Sequence, residues 1–196
     1  MSNGRPARGP RPAGAQTRAQ ILAAAARLFT ADGYEPTSIR AVARDAAVDP
    51  ALVRHYFDSK VGLFVESMRP HSDPAMHIEK LSAGEPALVG ERVMRFYLNV
   101  WADPEAGPRH IALLRAAIEH PAVARHLRQV TVEGVLEGVA RRMGASDPKV
   151  AASAAASQVV GLAMLRYVAR LEPLASMPPE HVIDRFAPVV THHLRS

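Results

Sequence analysis

The chain contains no cysteine. That excludes a disulfide frame and a thiolate metal site, and it suits a reducing cytosol. The nine histidines show no HExxH or similar ligand spacing, so neither a metal nor a cofactor is expected. The first residues are rich in Pro, Gly and Arg and lack an apolar h-region, so no secretory signal is expected. A membrane span needs about 20 apolar residues. The longest weakly polar run, Ala151 to Leu165, is shorter and contains Ser153, Ser157 and Gln158, so no membrane partner is expected. No segment sustains a two-residue alternation, no Asn-Gly pair separates two alternating runs, and no repeat period stands out. The chain therefore reads as all-α, with roughly nine helices.

What is present is ample apolar material and a lopsided charge. Hydrophobic residues make up 48% of the 196, enough for one large domain or two modest ones. Net charge is +5, and residues 1–64 hold nine basic residues against five acidic ones. The basic surplus is thus concentrated near the N-terminus, as expected of an end that meets a polyanion.

The stretch from Thr37 to Lys60, TSIRAVARDAAVDPALVRHYFDSK, carries the clearest local pattern. Thr37 or Ser38 can cap a short helix in which Ile39, Val42 and Ala43 repeat at helical spacing. Ala46-Ala47-Val48 breaks it, and Asp49-Pro50 restarts a helix with a carboxylate at the cap and a proline at the first helical position. Two short helices joined this way suggest a helix-turn-helix whose second member enters a DNA major groove.

Around this stretch the chain falls into order. Residues 1–15 form a low-complexity basic arm, expected to be disordered when free. Gln16 to Asp32 is a helix with Ile21, Leu22, Ala25, Leu28 and Phe29 on one stripe, stopped by Gly33. Further helices are expected from Asp58 or Ser59 to about Pro70, over Ala75–Leu81, Ala87–Ala102, Arg109–Glu119, Ala122–Met143 and Asp147–Leu171. A last one runs from Met177-Pro178-Pro179-Glu180 to the C-terminus, with a bend at Pro188.

The first 65 or so residues resemble the tetracycline-repressor-like (TetR) family of bacterial transcription regulators. The resemblance rests on TRAQILAAAARLFTADGYEPTSIRAVARDAAV, then His55-Tyr56-Phe57, then Ser59-Lys60. FYLNVWADPEAGPRHIALLRAA and LEPLASMPPE are similar to the body of one actinobacterial-type subgroup. The resemblance implies a three-helix helix-turn-helix DNA-binding domain over 16–62, a helical ligand-binding and dimerisation domain over 63–196, and a two-fold homodimer. Mapped onto this chain, the recognition helix is Asp49–Phe57. Pro50, Ala51, Arg54 and His55 face base edges, Thr37, Tyr56 and Lys60 meet phosphates, Arg40 on the exposed side of the second helix reaches either, and Ser38 is a further candidate DNA contact. Asp49-Pro50-Ala51 replaces a common Ser-Lys-Gly, and Arg54 stands where many members have tyrosine. Base readout by charge is therefore expected from Arg54, with apolar contact from Pro50 and Ala51.

In the body, Phe96, Tyr97, Trp101, His110, Arg115, Met164 and Tyr167 are candidates for lining a ligand cavity. Arg115 interrupts the apolar run IALLRAAI and, if buried, needs an anionic partner. The small-residue penultimate helix and the apolar stripe of the last make Ala155, Val159, Leu162, Arg166, Val182, Phe186 and Val190 the candidate dimer interface. The expected partners are double-stranded DNA, a second copy and an unidentified small-molecule effector, which releases a repressor from a pseudo-palindromic operator. One alternative is a regulator of the same fold with no small ligand, governed by concentration or a protein partner. The other is a helical enzyme using His110 or His120 as base. No paired nucleophile or acidic triad accompanies either histidine, and no enzyme activity is expected.

Overall fold

Helices account for every regular element among the residues that the computed structural model describes, 13–69 and 73–196. The chain divides into two compact units, one ending at Ser67 and one running from Met68 to Ser196.

The first unit holds α1 (Ala13–Asp32), α2 (Ile39–Asp45), α3 (Pro50–Tyr56) and α4 (Lys60–Ser67). α1 starts at Ala13, ahead of the expected Gln16, because Ala13-Gly14-Ala15 continue its first turn. The rest of the expected arm, residues 1–12, lies outside the described residues. Ile21, Ala25 and Phe29 are fully buried, and Gly33 ends the helix at φ +89°, a conformation open to glycine. α2 begins with Ser38, whose Oγ accepts the Ala41 N–H at 3.1 Å. α3 begins with Asp49, whose carboxylate accepts the Ala51 N–H at 2.7 Å, and with Pro50 in its first turn. Between them Ala47 takes φ 53° while Ala46, Ala47 and Val48 donate back to carbonyls of α2. The turn is thus closed by α2's own last carbonyls. Phe29, Tyr34 and Phe64 form an aromatic cluster, with Phe64 edge-on to Phe29 at 4.9 Å and to Tyr34 at 5.0 Å. That cluster ties α4 to the head, so the first unit ends at Ser67 and not at the expected boundary after residue 62.

The second unit holds α5 (Pro74–Ser82), α6 (Val89–Ala102), α7 (Ala106–Glu119), α8 (Pro121–Arg128), α9 (Glu137–Arg142), α10 (Pro148–Ala163) and α11 (Pro179–Arg195). The expected single helix from Ala122 to Met143 is continuous, but its middle, Gln129–Leu136, widens into π turns. Met164–Val168 does the same at the end of α10. α7 starts at Ala106, ahead of the expected Arg109. The Asp103 carboxylate accepts the Glu105 and Ala106 N–H groups at 2.9 and 2.7 Å, and a proline in the first helical turn forfeits no hydrogen bond. α11 runs through Pro188, which faces outward.

The core of this unit joins Val89, Val93 and Met94 of α6 to Ala155, Val159 and Leu162 of α10 and to Val182, Val190 and Leu194 of α11. α6 and α11 cross at Gly90. A methyl group there would strike the Ala187 carbonyl oxygen and the Thr191 backbone, and the Gly90 N–H donates to Thr191 Oγ1 at 3.0 Å. The helix Pro148–Val168 spans 21 residues at a mean hydropathy of 1.2, which meets the length and composition of a membrane span. The sequence count fell short because it stopped at Leu165. Ala152, Ala155, Val159 and Leu162 close one side of it against the rest of the unit, as in a core helix.

Candidate nucleic-acid interface

A hollow of about 340 Å³ opens on the first unit where α2, α3 and the start of α4 come together. Glu35, Thr37, Ser38, Ile39, Arg40, Arg54 and Lys60 line it. Three cations from three helices, all expected at the DNA-binding surface, thus share one concavity.

The expected residues take different roles within it. Arg40 and Arg54 are exposed and make no hydrogen bond or ion pair among the described residues. Both guanidinium forks are therefore available to an incoming acceptor. Pro50, Ala51 and His55 are exposed on α3, and the His55 ring lies edge-on to Tyr56 at 5.3 Å. Tyr56 is half-buried between that ring and Phe57. Ser38 is committed to its helix cap. Thr37 departs from the expected phosphate role: it is 2% exposed and its hydroxyl donates to the Gly33 carbonyl at 2.8 Å. Its proton is spent on closing the turn after α1.

Lys60 is not a free cation. Its ammonium donates to the Glu35 carbonyl at 2.9 Å, stands 4.0 Å from the Glu35 carboxylate, and lies 4.4 Å from the centre of the Tyr34 ring. Sequence reasoning missed Tyr34 and Glu35 as neighbours of the site. The pairing spans 25 positions, beyond any local periodicity.

In the second unit four of the seven candidate ligand residues form a ladder of rings. Phe96 meets Tyr97 at 5.1 Å, Tyr97 meets Trp101 at 5.7 Å, and Trp101 meets Tyr167 at 5.6 Å. His77 extends it, 4.8 Å from Phe96, and Met164 packs against the same core. Burial pushes the Tyr97 phenol above its usual range. His110 is half-buried on α7, with Nδ1 2.7 Å from the Ala106 carbonyl. Burial pushes its imidazole below the usual range, against that hydrogen bond and with the help of Arg109. Arg115 is exposed, so the expected need for a buried anionic partner does not arise.

The candidate dimer residues require the largest correction. Ala155, Val159, Leu162, Val182 and Val190 are buried inside a single chain, where they join α10 and α11 to α6. They face inward and cannot meet a partner. Arg166 donates to the Leu174 carbonyl at 2.5 Å, which pins the loop ahead of α11, and Phe186 is half-buried. The outward faces of the same helices carry Val150 (64% exposed), Leu165 (43%) and Val189 (40%). Gly161 lies between the first two, with nothing within 4 Å of where its Cβ would stand.

Comparison with known proteins accounts for both units. The model of the tetR family of bacterial regulatory proteins matches residues 21–66, and that of the tetracyclin repressor-like C-terminal domain matches residues 88–194. A TetR-family regulator from Streptomyces coelicolor A3 shares 32% identity over 96% of this chain and 100% of its own, with a TM-score of 0.64. NalD, the secondary repressor of the MexAB-OprM multidrug efflux pump in Pseudomonas aeruginosa, shares 22% identity over 87% of this chain and 94% of its own (TM-score 0.67). SmeT, solved as a triclosan complex, shares 19% over 86% and 88% (TM-score 0.61). These last two likenesses concern the fold alone. Comparison with curated proteins gives no match. With head and body matched separately and a full-length relative at 32% identity, the chain belongs to the TetR family of bacterial transcriptional regulators.

Proposed function

We propose that this regulator is a homodimeric repressor that binds a pseudo-palindromic operator in the cytoplasm and leaves it when a small molecule enters the body. The observation that carries the DNA reading is the hollow shared by Arg40, Arg54 and Lys60 beside the exposed start of α3. Arg54, in the last turn of α3, is suited to fork onto guanine O6 and N7. Pro50 and Ala51 at its start suit a thymine methyl, and Lys60 suits a phosphate. One head is weakly basic and has limited affinity. Two heads held by a dimer gain from effective concentration when half-sites lie about 34 Å apart.

The dimer contact is assigned to the outward faces of α10 and α11, through Val150, Gly161, Leu165, Phe186 and Val189. For the effector, the ring ladder from Phe96 to Tyr167 favours a flat apolar molecule, and SmeT has been solved with triclosan. Release then follows if the molecule prefers a body conformation in which the heads no longer match the groove. A ligand with equal affinity for both conformations shifts nothing. The rings also fill each other's surroundings, which favours the second reading, a regulator that answers to its own concentration or to a protein partner.

A mobility-shift titration against the DNA upstream of the protein's own gene tests the proposal. A retarded complex at low salt, dissolved by competitor carrying the same palindrome, is the expected result. Failure to bind any palindrome where phosphate contacts are strongest would falsify it.

A further inference from the structure

We infer that Tyr34 is a positioning residue for DNA binding: its ring, with the Glu35 carbonyl, holds the Lys60 ammonium in place for a DNA phosphate. This rests on the reading that the hollow meets DNA. A lysine ammonium on a four-carbon stem ordinarily samples many rotamers, and it must give up that freedom to hold one phosphate. Here much of the freedom is already gone. The ammonium spends one N–H on the Glu35 carbonyl at 2.9 Å and covers the Tyr34 ring at 4.4 Å, where the ring's negative face attracts it. The Glu35 carboxylate, at 4.0 Å, adds a weak charge pair. An ammonium carries three donors, so N–H groups remain for an anion entering the hollow that Lys60 lines.

The ring is itself fixed. Tyr34 stacks on Phe29 at 5.9 Å and meets Phe64 edge-on at 5.0 Å, in the cluster that joins α1 to α4. Gly33, at φ +89°, turns the chain out of α1 just before it. Burial, and then the charge of Glu35, push the Tyr34 phenol upward. The turn after α1 thus presets a cation that belongs to α4, a preorganisation that neither helix has alone.

A double-mutant cycle on the full chain tests this, with the duplex from upstream of its own gene as probe. Tyr34→Leu is expected to weaken binding about two- to fivefold when Lys60 is present. It should cause no further loss in a Lys60→Ala background, and Tyr34→Phe should retain full affinity. Equal losses in both backgrounds, or no loss from Tyr34→Leu, overturn the inference. Should the leucine variant not fold, proton NMR of the wild-type chain decides: the Lys60 ε-methylene resonances must be shifted upfield by the ring, and ordinary shifts overturn it. A wild-type chain that binds no duplex sinks the DNA reading itself, a result separate from the ε-methylene shift measured in the free protein.

Discussion

At the scale of single residues, the hollow on the head divides its side chains into those already committed and those still open. Ser38 and Asp49 cap helices, Thr37 closes a turn, and Lys60 is held by Glu35 and Tyr34. Arg54 remains open, on an exposed turn of α3. Arg54→Ala should therefore weaken binding to the cognate duplex by about 1–3 kcal/mol, the worth of a bidentate base contact, and leave non-specific binding nearly unchanged. Equal losses on cognate and random duplexes would make Arg54 a phosphate contact instead. Helix caps were legible from sequence because they depend on neighbours within three residues. The roles of Thr37 and Arg115 were not, because burial decides them. The phosphate role of Thr37 is what the family resemblance implies, and a resemblance does not carry the closed environment of its hydroxyl. Arg115 in an apolar run looks buried until the run turns out to face solvent on one side.

At the scale of elements, Asp-Pro pairs organise the chain. Asp49-Pro50, Asp73-Pro74 and Asp147-Pro148 each open a helix, and each aspartate accepts an N–H two residues on. The helix expected from Ala75 starts one residue earlier, at Pro74. The start of α7 was misjudged because Asp103 caps from further upstream, and Gly107 sits against the Trp101 backbone where a larger residue cannot. The π turns at 129–136 and 164–168 interrupt two helices that the sequence reading drew as uniform. Helix–helix approach is a feature that periodicity does not carry. Gly90 looked like any glycine early in a helix, yet it is where α6 and α11 touch backbone to backbone. Gly90→Ala should destabilise the protein by about 1–3 kcal/mol, the cost of forcing volume into a closed contact. A lower midpoint in urea denaturation checks it, and an unchanged midpoint would mean that the crossing gives way easily.

At the scale of the whole molecule, the division into a small head and a larger helical body was legible from composition and motif. Which face of α10 points inward was not. That helix is apolar or small nearly all round, so spacing alone offers two seams, and the seam through Ala155, Val159 and Leu162 went to the chain's own core. The outward seam through Val150, Gly161 and Leu165, with Val189 of α11, is exposed and is the one the proposed dimer uses. Leu165→Glu combined with Val189→Glu should yield folded monomers in sedimentation, with helical content retained and operator affinity lost. A dimer that survives both charges would place the contact elsewhere. Removing α11 altogether is a poorer test, because Val182, Val190 and Leu194 belong to the core and their loss exposes it.

Sequence-specific DNA binding is the claim on which the rest depends, and competition between duplexes addresses it most directly. The affinity of the full chain for a palindrome taken from the DNA upstream of its own gene is measured against a scrambled duplex of equal length and charge, at physiological salt. The expected ratio is at least about a thousandfold in favour of the palindrome. Equal affinities, both collapsing together as salt rises, would reduce the hollow to a patch of positive charge and contradict sequence-specific binding.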